Sequence, residues 1–268
     1  MREEQTMLRF KQKKIERLDF IIAGAQKAGT SALHYFLEQH PNVTMAHSEE
    51  AHLVEHPHRH FFDDEERFSK EVDYDVLHQG IKFKRRSLIT GSCTPIYIYW
   101  KPAMKRIKAY NPQIKLIILL RNPIDRAFSH WNMQRDRNRD ALDFLEAVAQ
   151  EKNRIQKALP LQLRRQAYIE RGFYFEQIER VFRYFPREQV HVIKFDDFRS
   201  DWHKTVTSVF EFLGVDPSVP LKNKEQNLIP YERRLTAEER RSLYEIYRSD
   251  ISKLEGLLKW DCSDWKPA

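Results

Sequence analysis

Residues 20–33, Phe-Ile-Ile-Ala-Gly-Ala-Gln-Lys-Ala-Gly-Thr-Ser-Ala-Leu, restrict the fold more than any other stretch of the chain. The apolar run Phe20 to Ala23 reads as a strand buried on both faces. Gly24 and Gly29 bracket a short loop, and Thr30 and Ser31 open an apolar helix carrying Leu33, Tyr35, Phe36 and Leu37. Strand, glycine loop and helix N-terminus in that order place backbone N–H groups around a phosphate. The spacing nearly satisfies the mononucleotide pattern G-x-x-x-x-G-K-[ST], with Gly24, Gly29 and Ser31 in register. Thr30 stands where that pattern has its lysine, and Lys27 lies inside the loop instead. The loop still wraps an anion, but its cation is displaced along it. The bland alternative is an ordinary strand-to-helix turn with a surface lysine.

The remaining chain alternates apolar strands with helices. His40-Pro41-Asn42 ends the first helix near Gln39, because the residue before a proline leaves the helical region. Val43 to Met45 suggests a short strand, Ser87 to Thr90 a strand ending in a turn at Gly91, and Ile114 to Leu120 a second apolar strand. Val190 to Phe195 reads as another. Lys101 to Tyr110, residues 141–158, Gln166 to Tyr184 (interrupted at Arg171-Gly172), Asp201 to Leu213 and Leu235 to Leu258 read as helices. Thr236-x-x-Glu239 is a capping box for the last. Residues 46–66 are polar and aperiodic and read as an exposed loop; residues 64–80 read as short helical turns. The pattern predicts an α/β class, a three-layer P-loop-like fold with a central parallel sheet flanked by helices. Its domain organisation is a charged leader over residues 1–18 and a single domain over 19–268. Ligands of such sheets bind at the carboxyl ends of the strands, which places the 24–31 loop and Arg121 on one rim.

Arg121 follows the Ile114–Leu120 strand directly. Asn122 and Pro123 are an N-cap and a first helical position, and Ser129 lies about two helical turns in. Arg121 and Ser129 can thus converge on a second anion, by a guanidinium fork and a hydroxyl; a salt bridge and a helix-surface serine are the bland reading. A magnesium-dependent nucleotidase usually carries an acidic metal ligand at the end of this neighbouring strand. Arg121 in that place, with the displaced lysine, argues against chemistry at a γ-phosphate and predicts no metal.

Five histidines, His47, His52, His56, His58 and His60, lie among Glu49, Glu50 and Glu55. The spacing matches no strong zinc pattern. A histidine general base is the sharper expectation, with His52, Glu55, His58 and His60 as candidates, against a solvated loop. Tyr97, Tyr99 and Trp100 read as core or pocket wall. Gly172 and Tyr174 either mark close helix packing or approach a nucleotide base. The net charge of +7 suits an anionic ligand or surface. Cys93 and Cys262 are too far apart for a CxxC motif and point to a reducing compartment. No apolar stretch approaches membrane-spanning length and the first residues lack a signal core, so the expectation is a cytoplasmic protein without a membrane partner.

These motifs together resemble the sulfotransferase superfamily that uses 3′-phosphoadenosine 5′-phosphosulfate (PAPS). The likeness lies on the side of the bacterial small-molecule enzymes and the heparan sulfate sulfotransferases, and it covers nearly the whole chain. Gly24 to Ser31 resembles the family's 5′-phosphosulfate loop. This implies Lys27 at the bridging oxygen and sulfonate and Gly29, Thr30 and Ser31 at the 5′-phosphate, with Gly24 and Ala28 also on the cofactor-binding loop. Leu120-Arg121-Asn122-Pro123-x-x-Arg126-x-x-Ser129 resembles the 3′-phosphate motif. Arg171-Gly172-x-Tyr174 and Phe195-Asp196-Asp197-Phe198 resemble further landmarks, with Gly172 and Tyr174 on the nucleotide side. The resemblance implies sulfuryl transfer from PAPS, yielding adenosine 3′,5′-bisphosphate, without a metal. Lys27 would stabilise the leaving phosphate, and one of Glu49, Glu50, Glu55, His58 and His60 would take the acceptor's proton.

The chain departs from the family where the base sits. His58 stands where heparan-type relatives carry a glutamate before the Phe61-Phe62 pair, while His60 matches the family histidine. Ser92-Cys93 replaces a family Glu-Lys. These departures point to a small-molecule acceptor, with a glycosaminoglycan-type carbohydrate as the alternative. An ATP-dependent phosphotransferase is less consistent with Thr30. A nucleic-acid-binding module would interleave its basic groups with aromatics along a stripe, so no nucleic-acid partner is expected.

Overall fold

The computed structural model describes residues 17–46, 60–78, 88–223, 231 and 233–267. Among the described residues five strands form one parallel sheet: β1 (Phe20–Gly24), β2 (Val43–Met45), β3 (Ile89–Cys93), β4 (Lys115–Leu120) and β5 (Val190–Lys194). Their order is β2-β3-β1-β4-β5, with β1 in the middle. Every residue of β1 is buried, as a strand covered on both faces requires. Pairings such as Ile22 with Cys93, Gly24 with Ile118 and Leu120 with Lys194 bring the carboxyl ends of β3, β1, β4 and β5 to a common rim.

The described helices are α1 (Thr30–Gln39), α2 (Asp75–His78), α3 (Ala103–Tyr110), α4 (Pro123–Asp136), α5 (Phe144–Ala158), α6 (Tyr174–Tyr184), α7 (Phe195–Ser200), α8 (Trp202–Leu213) and α9 (Ala237–Leu258). Helices α1 and α7 pack with α8; α3, α6, α9 and α4 pack in sequence as the other group. The α/β fold read from the sequence is therefore the observed one. Helix ends follow local chemistry. The Asn122 side chain accepts from Ile124 N at 3.0 Å and Asp201 from Lys204 N at 2.9 Å. Thr236 and Glu239 form the reciprocal capping box, at 3.1 and 2.8 Å. Among the described residues no helix is long and apolar enough to cross a membrane. Both cysteines are free.

Several local expectations change. Strand β3 passes through Gly91 to Cys93 instead of turning there. A Cβ on Gly91 would lie 2.1 Å from the Phe20 ring, so the glycine lets neighbouring strands stack. Strand β5 stops at Lys194, and Phe195 begins α7. Residues 60–66 are not simply exposed: Phe61, Phe62 and Asp63 are fully buried. The two phenylalanines pack against Phe68, Tyr74, Tyr97 and Tyr110, and the Tyr97 hydroxyl accepts from Phe61 N at 3.2 Å. Arg126 points into the core with no exposed surface.

The Gln166–Tyr184 helix begins only at Tyr174, after a single turn at Glu170–Gly172. Glu151 of α5 explains the change. Its carboxylate takes the Ile169 and Glu170 amides at 2.7 and 2.8 Å, while the Tyr247 hydroxyl donates to Ile169 O at 2.9 Å. Side chains from distant elements satisfy the backbone groups that a helix would have paired. A Cβ on Gly172 would sit 2.6 Å from the Tyr247 oxygen, so Gly172 serves close packing. Gly172→Ala is expected to lower stability by about 1–3 kcal/mol, read as a fall in Tm. An unchanged Tm would show that Tyr247 yields freely.

Candidate functional site

The phosphate loop spans the turn from β1 into α1. Gly29 has φ 89° and stands at the N-cap of α1, where no side chain caps the helix. Its left-handed backbone and a virtual Cβ contact of 2.9 Å with Phe195 both call for glycine. At the other end, a Cβ on Gly24 would meet Ile98 at 2.4 Å. Ala28 and Thr30 are buried and Ser31 is exposed on the first turn. The first-turn amides of α1 are therefore left for an anion. Lys27 forms the crest of the loop with φ 74°. Burial lowers its ammonium pKa from the ordinary lysine value, and Arg137 and Arg121 push it further down, with Asp136 opposing. Such a surplus of positive charge is relieved by a bound anion.

Arg121, at the end of β4, meets this loop. Its Nη1 donates to the Lys27 carbonyl at 3.3 Å, and its guanidinium lies 5.1 Å from the Phe195 ring centroid. Phe195 thus touches both Gly29 and Arg121. The Tyr174 hydroxyl donates to the Arg121 carbonyl at 2.9 Å from a fully buried ring, so Tyr174 fixes the β4 end from behind. Ser129 is buried on α4, and its Oγ accepts from the Tyr231 hydroxyl at 2.9 Å. The Tyr231 ring meets Phe128 edge-on at 5.7 Å.

His60 is half-exposed, with φ 57°. Its Nδ1 lies 3.0 Å from Oδ2 of Asp63, whose side chain is completely buried. With Nδ1 donating to that carboxylate, Nε2 is left as the proton acceptor. Glu49, Glu50, His52, Glu55 and His58 lie outside the described residues. Sequence reading missed Asp63, Tyr231 and the effect of Arg137 on Lys27. Asp63 follows the Phe pair directly, and that adjacency was the available signal.

The structure thus joins Gly24, Lys27, Ala28, Gly29, Thr30 and Ser31 to Arg121, with Tyr174 behind it. At Gly172 the space a side chain would take is occupied by Tyr247. One surface cleft of about 350 Å³, lined by Tyr99, Glu170, Gln177, Arg180 and Asp250 among others, lies at α6 and α9 away from Lys27.

The chain is 29% identical to a sulfotransferase structure from Alicyclobacillus acidocaldarius, with a TM-score of 0.77, covering 94% of this chain and 99% of that one. It is 28% identical over 206 residues to human heparan sulfate glucosamine 3-O-sulfotransferase 5, covering 76% of this chain and 55% of the relative. It is 30% identical over 220 residues to human bifunctional heparan sulfate N-deacetylase/N-sulfotransferase 3, covering 77% and 23%. The chain therefore spans about half the length, or less, of these two curated relatives. The family model described as "Sulfotransferase domain" matches residues 17–268, the stretch that builds the sheet, the loop and the Arg121 rim, so the chain belongs to the sulfotransferase domain family.

Proposed function

We propose that this protein transfers the sulfuryl group of PAPS to a hydroxyl or amine of a small-molecule acceptor. The observation that carries the reading is the contact between Arg121 and the Lys27 carbonyl, which puts two anion-binding elements from separate strands at one site. The residues fit the nucleotide: uncapped amides of α1 with Thr30 and Ser31 suit the 5′-phosphate, Arg121 and Ser129 a 3′-phosphate, and Lys27 the bridging oxygen. PAPS would supply a sulfuryl group on a phosphate leaving group. Lys27 counters the charge that develops on that oxygen. His60, oriented by Asp63, accepts the acceptor's proton at Nε2. Ser92 and Cys93 in place of the family's acidic-basic pair support a small acceptor. The second reading is a carbohydrate acceptor, favoured by the heparan sulfate specificity named for the relatives.

The test is thermal stabilisation by adenosine 3′,5′-bisphosphate against ATP with magnesium. The bisphosphate is expected to raise Tm, and stabilisation by ATP alone would sink the proposal. Arg121→Ala is expected to weaken bisphosphate binding about tenfold to a hundredfold, the range of a lost charge-assisted hydrogen bond. Calorimetric titration reads this directly. Unchanged affinity would remove Arg121 from the nucleotide site.

A further inference from the structure

Arg171 has no part in the scheme above, yet it lies at its centre. Its side chain is buried, with only 3% of the residue exposed. Nη1 donates to Gln26 Oε1, beside Lys27 in the phosphate loop, and Nη2 donates to the Arg164 carbonyl. Arg164 in turn grips Asp63 by both its carboxylate and its carbonyl. Asp63 holds His60. A path of polar contacts therefore runs from His60 through Asp63, Arg164 and Arg171 to Gln26.

Two consecutive aromatic rings carry this path. Arg164 lies 4.6 Å from the Trp100 ring centroid and Arg171 lies 4.8 Å from that of Tyr99. The rings are themselves fixed: Trp100 Nε1 donates to Glu65 at 2.8 Å and the Tyr99 hydroxyl to Glu170 at 2.5 Å. Gln177 Nε2 secures the Arg171 carbonyl at 3.1 Å. The arrangement is costly, because Arg171 Nε has no hydrogen-bond partner and the cation is buried. An apolar side chain would fill such a seat more cheaply. A guanidinium adds several hydrogen bonds in fixed directions, and one of these ends on the loop crest.

We propose that Arg171 is a positioning residue that locks the crest of the phosphate loop, and with it Lys27, in register with the His60–Asp63 turn. This rests on the sulfotransferase reading. Lys27 holds a positive φ, a backbone that a residue with a side chain keeps only where its surroundings over-determine it. Arg121 holds the Lys27 carbonyl from one side. Arg171 holds the preceding side chain from the other. Cutting the second contact frees the crest to relax and moves the Lys27 ammonium off its line.

The test uses the full chain with Gln26→Ala and Arg171→Lys, singly and combined. Gln26 is only partly buried, so its variant reports on the contact even where a core arginine change impairs folding. In the protein alone, trinitrobenzenesulfonate labelling of Lys27, read by peptide mass spectrometry, is expected to rise severalfold in Gln26→Ala. Affinity for adenosine 3′,5′-bisphosphate, by calorimetry, is expected to stay within about threefold of the parent. Single-turnover conversion of PAPS with water as acceptor is expected to fall about tenfold to a hundredfold, the scale of a small misplacement. In that step the sulfur–oxygen bond to phosphate breaks with its electron pair left on the phosphate oxygen. Water's oxygen bonds to sulfur, and both of water's protons are released as sulfate forms. The double variant is expected to be no slower than the slower single one. Parental labelling and rate in Gln26→Ala overturn the proposal. So do multiplying losses, or a loss confined to nucleotide affinity. A parent chain that fails to bind the bisphosphate overturns the sulfotransferase reading, and the positioning role with it.

Discussion

Lys27→Ala is expected to lower sulfuryl transfer about a hundredfold to a thousandfold, with a much smaller change in affinity for adenosine 3′,5′-bisphosphate. The magnitude is that of removing one preorganised donor from the atom where charge develops. Charge on the bridging oxygen grows as its bond to sulfur breaks, so the ammonium contributes more in the transition state than in the bound ground state. Lys27 is suited to this. It is half-buried, where a charge acts through less water, and burial with Arg121 and Arg137 already disfavours its charged form. A developing anion opposes that shift and restores the proton's hold. The discriminating measurement is kcat against bisphosphate Kd in the same variant. Near-normal turnover would show that the loop lysine faces something else. A Kd raised in proportion to the lost rate would make Lys27 a binding residue alone.

His60→Ala is expected to cost about a hundredfold or more in transfer at neutral pH, within the range ascribed to a positioned general base. It should also abolish the acid limb of the pH–rate profile, because the imidazole must be neutral at Nε2 to accept a proton. Only one partner has to be assumed, since Asp63 is buried and lies 3.0 Å from Nδ1. Parallel variants Glu55→Ala and His58→Ala decide between neighbours. Equal, small losses from all three would reject the assignment to this turn. A pH profile unaltered by His60→Ala would reject the histidine even if the rate fell.

The parts that were legible in the sequence are local. The β1 strand, its glycine loop and α1 lie within one continuous segment, so spacing alone placed Gly24, Lys27 and Gly29. Arg121 was legible because an apolar strand and an Asn-Pro helix start fixed it between them. The parts that were missed depend on distant side chains. Glu151 takes the amides of Ile169 and Glu170, and no helical periodicity in residues 166–173 reveals that competitor. The charged residues around Phe61 and Phe62 suggested exposure, while the aromatic partners that bury them come from residues 68–110. Tyr231 reaches Ser129 across 102 positions. The burial of Arg126 was not legible either, because α4 is covered nearly all round, its buried residues including Arg126, Ser129 and His130.

The Tyr231–Ser129 hydrogen bond makes the proposed 3′-phosphate seat a place already taken. The chain offers its own hydroxyl there, so a 3′-phosphate enters by exchange and gains only the difference between the two partners. Such a seat rewards a doubly charged phosphate, which brings charge to Arg121 as well. A bare ribose hydroxyl would merely trade one neutral bond for another. Discrimination against nucleotides lacking the 3′-phosphate can then arise from what they fail to displace.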